Sequence, residues 1–156
     1  MGKLLYLLFI HSYHLGIRMA SLWNPKAKLW VAGRKTFPSI TKDGRKTVWM
    51  HCASLGEFEQ GRPVLEAIKK EYPQVKIVLT FFSPSGYEVM KNYKGADHIF
   101  YLPMDSAANA SRMIDAIVPD LLLWVKYEFW YYYLTAFKKR NIPVVMVSGI
   151  FRSSQP

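Results

Sequence analysis

A single cysteine, Cys52, in 156 residues excludes an intramolecular disulfide, and a Cys-rich zinc site is absent with it. The same scarcity favours a reducing compartment. There is no Gly-x-Gly-x-x-Gly and no P-loop, so neither a dinucleotide nor an NTP site is signalled. There is no Gly-x-Ser-x-Gly elbow either, which leaves an esterase reading with little support. Internal repeats and low-complexity tracts are missing. Acids are few, with 11 Asp and Glu against 21 Lys and Arg, for a formal net charge of +10.

Hydrophobic residues make up 51% of the chain and aromatics 15%, a composition that folds around a core and excludes disorder. The length suits one domain, or one half of a larger enzyme. The charge is unevenly placed. Residues 1–46 carry nine cations against the single acid Asp43, whereas residues 47–156 carry twelve against ten. A nucleic-acid-binding domain would carry its positive patch on the folded body, so this distribution argues against one. It favours an arm that meets an anionic surface.

The arm opens with Leu4-Leu5-Tyr6-Leu7-Leu8-Phe9-Ile10 and stays apolar to Trp23, interrupted by His11, His14 and Arg18. These interruptions weaken the case for a clean span, and no small-residue cleavage site marks a signal peptide. Lys26, Lys28, Arg34 and Lys35 then form a basic stop, which favours the cytoplasmic side and attracts anionic headgroups. The alternative is a core helix of a soluble domain. The chain thus divides into a membrane-anchoring segment (1–32), a basic linker (33–46) and a domain (47–156).

Within that domain, strand-like runs at 47–52, 75–82, 98–102, 121–125 and 143–148 alternate with helical spacing at 57–72, 106–118 and 129–140 and with a short helix opened by the turn 83–86 and running to about Tyr93. Asp105 stands where it would cap the helix at 106. Continuous runs such as Ile77-Val78-Leu79 and Leu121-Leu122-Leu123 suit strands buried on both sides. The expected fold is α/β: a Rossmann-like, doubly wound parallel sheet with helices on both faces, preceded by an apolar helix. Such sheets bind ligands at the carboxyl ends of their strands, which directs attention to loops 53–57, 83–86, 103–105 and 126–128.

The first loop reads His51-Cys52-Ala53-Ser54-Leu55-Gly56-Glu57. Ser54 and Glu57 have capping-box spacing, so Glu57 either caps its own helix or takes a proton from a substrate hydroxyl; both readings stand. His51 and Cys52 are adjacent on a strand and face opposite ways, which excludes a catalytic pair. Ser83-Pro84-Ser85-Gly86 reads as a capped turn or as a cradle for a phosphate. In Lys126-Tyr127-Glu128-Phe129-Trp130, Glu128 either favours a helix start or shares a crevice with Glu57, and Lys126 adds positive charge for an anionic ligand. Trp130-Tyr131-Tyr132-Tyr133 is too aromatic to be all core, so some of these rings are expected to line an amphipathic ligand's site.

These four motifs, with Tyr101-Leu102-Pro103-Met104-Asp105 and the closing Ser148-Gly149-Ile150-Phe151-Arg152-Ser153-Ser154-Gln155, resemble in order and spacing the 3-deoxy-D-manno-octulosonic acid (Kdo) transferases, in a Bacteroides-like form. The resemblance runs over essentially the whole chain. It departs where the family's common Thr-Glu-Leu-Trp-Pro becomes Tyr127-Glu128-Phe129-Trp130-Tyr131, keeping the acid and the Trp but not the Pro. It implies the N-terminal, acceptor-side half of a GT-B glycosyltransferase, without the C-terminal nucleotide-sugar domain and therefore inactive alone. The implied reaction is an inverting, metal-independent transfer of Kdo from CMP-Kdo to a lipid A precursor, lipid IVA, with no cofactor. The implied roles are Glu57 as general base and Glu128 as transition-state stabiliser. Ser54, Gly56, Ser83, Ser85, Gly86 and Lys126 become candidate contacts to the acceptor and its phosphates. The implied partners are the lipid A precursor, CMP-Kdo and an anionic membrane surface, with no nucleic acid; the implied location is the cytoplasmic face of the inner membrane. A truncated, non-catalytic lipid-binding module is the alternative.

Overall fold

The structure, a computed structural model, describes residues 2–35, 37–126 and 129–149. Strands β1 (Thr47–Cys52), β2 (Lys76–Phe81), β3 (His98–Tyr101), β4 (Leu121–Val125) and β5 (Val144–Val147) pair in parallel in the order β3-β2-β1-β4-β5. This is the Rossmann-like order expected from the strand–helix alternation. The helices are α1 (Gly2–Ala20), α2 (Pro25–Ala32), α3 (Leu55–Glu71), α4 (Pro84–Met90), α5 (Ala107–Ile117) and α6 (Tyr131–Lys139).

Both faces of the sheet are covered, which is why its central strands read as unbroken apolar runs. Val48, Met50, Cys52, Leu79, Phe81 and Leu123 lie under Phe58 and Leu65 of α3 and Met90 of α4. Trp49, Val78, Leu122 and Trp124 point the other way, beneath Met113, Ile114 and Ile117 of α5 and Tyr133 and Phe137 of α6. His51 and Cys52 accordingly part company. Cys52 joins the first layer, while the His51 ring lies 4.6 Å from that of Trp124 and its Nδ1 lies 3.0 Å from Thr80 Oγ1.

Gly86 lets α4 sit directly on β2. A Cβ at this position would overlap the Phe81 ring. Gly86→Ala should therefore cost about 1–3 kcal/mol, read as a lowered midpoint of denaturant unfolding. An unchanged midpoint would show that α4 is loosely held.

The helix ends differ from the sequence reading in several places: α3 begins at Leu55 rather than Glu57, and α4 ends at Met90 rather than near Tyr93. The N-cap of α5 is Ser106, whose Oγ accepts from Asn109 N at 3.1 Å; Asp105 does not cap it. Helix α6 begins at Tyr131 because Trp130 is extended, with its ring 4.8 Å from that of Phe82.

Residues 33–35 and 37–46 are laid along the domain. Phe37 and Ile40 pack on the second layer. At the amino end of the sheet, Asp43 pairs with Lys76 at 2.7 Å, Arg45 with Asp97 at 2.8 Å and Lys46 with Asp120 at 2.7 Å. Two of the linker's cations are thus neutralised on the edge opposite the candidate site.

Candidate functional site

Strands β1 and β4 are neighbours in the sheet although β2 and β3 separate them in sequence, so the strand order reverses between them. A doubly wound sheet opens a crevice at that point, beyond the strands' carboxyl ends. His51 is in register with Trp124, and the residues that follow the two strands, Ala53 and Ser54 on one side and Lys126 on the other, flank the opening.

Ser54 is the extended N-cap of α3, which places Glu57 in its first turn. The backbone N and the Oγ of Ser54 both donate to Glu57 Oε2, at 2.7 and 2.9 Å. Oε2 holds the cap, and Oε1 is left without a protein partner among the described residues. Gly56 is exposed, and a Cβ built there meets nothing within 4 Å, so this side of the helix start stays open.

Lys126 ends β4 in a left-handed conformation, φ 62°, while its amide donates to Val147 O at 2.9 Å. A non-glycine residue in that region costs about 1–2 kcal/mol. Glu128, expected to share the crevice, lies outside the described residues, as does Tyr127.

In the turn before α4, Ser83 Oγ accepts from Ser85 N at 3.2 Å, and Ser83 O accepts from Gly86 N and Tyr87 N, each at 3.2 Å. The amides are engaged in capping. Gly86 is buried, and Ser85 is the turn's exposed hydroxyl.

The N-terminal segment packs against the same loops. Ile10 of α1 and Trp30 of α2 form a third cluster with Phe82 and Met104, and Ala53 and Trp130 pack against it. Each of the loops after β1, β2, β3 and β4 contributes to this contact. Two polar ties hold it. Arg34, just past α2, donates to Leu102 O at 2.8 Å, Trp30 O at 3.0 Å and Phe82 O at 2.6 Å, and its guanidinium carbon lies 3.7 Å from the Trp30 ring centroid. Asp105, 1% exposed, accepts from Tyr6 OH at 2.5 Å, Tyr132 N at 2.9 Å and Tyr133 N at 3.0 Å. It therefore caps α6 and secures α1. Burial raises its carboxyl above the ordinary value, against the lowering effect of its three donors. Arg34 and Asp105 were missed as a pair of struts; the sequence signal was a cation and an acid inside apolar surroundings.

The outward ridge of α1 is mostly apolar, with the exposed His11 lying on it between Leu8 and Leu15. Leu4, Leu8, Leu15 and Met19 share it, each more than half exposed. Among the described residues no helix is long and apolar enough to cross a membrane. Between the arm and the sheet lie two apolar hollows. One of about 330 Å³ is lined by Tyr13, Ile17, Trp30, Phe82 and Pro84 among others. The other, of about 190 Å³, lies between Tyr6, Phe9 and Ile10 and Phe129 and Trp130. Of the four consecutive aromatics, Tyr133 is core, Tyr131 is exposed, and Trp130 borders the smaller hollow.

A Rossmann-like domain with an acid at its switch-point crevice is the class that fold and site define. The fold is shared with a putative UDP-N-acetylglucosamine 2-epimerase from Listeria monocytogenes, at TM-score 0.51 and 16% identity over 72% of this chain and 32% of that one. It is also shared with a family 9 glycosyl transferase from Veillonella parvula, at TM-score 0.50 and 15% identity over 69% of this chain and 38% of that one.

The family follows from sequence. The family model for 3-deoxy-D-manno-octulosonic-acid transferase (kdotransferase) matches residues 24–156, and the chain belongs to that family. It is 32% identical over 123 residues to the 3-deoxy-D-manno-octulosonic acid transferase of Aquifex aeolicus, covering 78% of this chain and 33% of that protein. The enzyme of the same name from Haemophilus influenzae is 32% identical over 104 residues, covering 65% of this chain and 24% of that protein. That of Chlamydophila psittaci is 28% identical over 152 residues, covering 94% and 32%. The chain thus spans about a quarter to a third of the length of the curated relatives it matches.

Proposed function

We propose that this chain is the acceptor-binding half of a Kdo transferase, which moves Kdo from CMP-Kdo to a lipid A precursor such as lipid IVA. The observation that carries the reading is the position of Glu57, fixed by Ser54 beside the switch-point crevice, with Oε1 unengaged among the described residues. In the proposed step the acceptor hydroxyl gives its proton to Glu57 as its oxygen bonds to the anomeric carbon of Kdo. The bond from that carbon to the phosphate oxygen breaks, CMP leaves, and attack from the opposite side inverts the centre. An oxocarbenium-like centre gains from a nearby carboxylate, the role proposed for Glu128. CMP is a good leaving group without a strong acid, so the step as written requires neither metal nor cofactor.

The acceptor's acyl chains suit the two apolar hollows beside the crevice, and Lys126 and Ser85 are the proposed contacts to its polar head. The outward ridge of α1 would lie in the cytoplasmic leaflet of the inner membrane, with the arm's cations against anionic headgroups. The nucleotide-sugar contacts would come from the family's second domain.

Reconstitution tests this. The purified chain, CMP-Kdo and lipid IVA should give no product until a family C-terminal domain is added, and a Kdo–lipid product by mass spectrometry afterwards. Binding of lipid IVA without product in the completed mixture would favour the non-catalytic module.

A further inference from the structure

Where the chain leaves α2 and passes α5, the surface folds into a hollow of about 320 Å³. His14 of α1, Arg34 and Lys35 at the end of the arm, and Arg112 of α5 line it, together with Asn109 and Phe37. No carboxylate lines it. Among the described residues none of these four basic groups is in an ion pair, whereas Arg45, Lys46, Lys76, Lys91 and Arg140 each meet an acid.

The hollow is also partly ordered in advance. Arg34 is fixed by three backbone carbonyls, which leave its charge uncancelled. The Arg112 guanidinium carbon stacks 4.0 Å from the Phe37 ring centroid. His14 is held below its ordinary pKa, first by burial and then by repulsion from Arg18, Arg34 and His11. Crowding like charges around one cavity is unfavourable, and an anion placed among them relieves it. A guanidinium fork matches phosphate oxygens in particular.

Position selects the source of that phosphate. His14 and Arg18 stand on the flank of α1, beside the outward ridge of Leu4, Leu8, Leu15 and Met19. A helix lying in the interface sinks its apolar side by roughly 5–10 Å, which leaves its flank at the depth of the headgroup phosphates.

We propose that this hollow binds the phosphate of a membrane-lipid headgroup, at a site separate from the crevice beside Glu57. The inference rests on the membrane reading of α1 and deepens it.

The test uses the full chain with monomeric dihexanoyl phosphatidylglycerol, inorganic phosphate, and vesicles of phosphatidylcholine with and without phosphatidylglycerol. The double variant Lys35→Gln/Arg112→Gln should weaken binding of the short-chain lipid about 10-fold. The equal charge change Lys138→Gln/Lys139→Gln, in the last turn of α6, should change it less than about 2-fold. The ring signals of His14 should shift with the lipid, and with inorganic phosphate at higher concentration. Equal losses in the two double variants would overturn the site in favour of diffuse attraction. Inorganic phosphate binding as tightly as the lipid would overturn the lipid assignment. If vesicles bind but the short-chain lipid leaves His14 unmoved, the hollow fails while the membrane reading survives. If the short-chain lipid binds as expected and vesicles do not, the membrane reading fails instead.

Discussion

Glu57→Gln in the reconstituted enzyme should lower kcat for Kdo transfer by about 10²–10⁴-fold, the usual contribution of a positioned base. The amide is nearly isosteric, and its oxygen still accepts from Ser54 N, so α3 keeps its start. What the amide lacks is a site for the acceptor's proton. The loss should therefore appear in kcat with little change in KM, and the unfolding midpoint should move little. Glu57→Asp separates the two roles: its shorter arm relinquishes the cap, so stability falls by about 0.5–2 kcal/mol as well. Full activity in Glu57→Gln would leave Glu57 as a helix cap and nothing more.

Arg34→Leu should cost about 3–5 kcal/mol of unfolding free energy. The guanidinium donates to carbonyls from three separate segments, at Trp30, Phe82 and Leu102. Removing it leaves three acceptors without their donor and strips the face of the Trp30 indole. The penalty should be concentrated in the arm, so amide exchange ought to accelerate in α1 and α2 while β1, β2 and β4 stay protected. Arg34→Lys should recover only part of the loss, because an ammonium cannot reproduce a planar fork serving three directions. A stability within about 0.5 kcal/mol of the parent would mean that water satisfies those carbonyls and that the aromatic cluster alone holds the arm.

The layered sheet was legible in the sequence because its determinants are local. Ile77-Val78-Leu79 and Leu121-Leu122-Leu123 have no polar side, which suits strands covered twice, and Ser54 with Glu57 marks a helix start within four residues. The placement of the arm was not legible because its ties are distant. Tyr6 meets Asp105 across 99 positions and Arg34 meets Leu102 across 68, and no periodicity reports such pairs. The same distance misplaced the role of Asp105. Read locally it sits two residues before the start of α5, next to the N-cap Ser106; in space it serves α6. The charge of residues 1–46 is likewise distributed in a way that a count of cations cannot show, since Arg45 and Lys46 meet Asp97 and Asp120 at the far edge. Of the candidate site, the motif loops follow from the strand-end rule. The hollows beside them depend on how α1 lies against Trp130 and Phe82.

The cluster of Ile10, Trp30, Phe82 and Met104 also bears on how the protein can be handled. Trimming the greasy leader to make a shorter, better-behaved polypeptide starting at Thr47 would bare Phe82, Met104 and Trp130 together. It would also free the Asp105 side of the α6 cap from Tyr6. The trimmed version would be stickier than the original, and its damage would fall at the rim of the crevice, where the chemistry is expected.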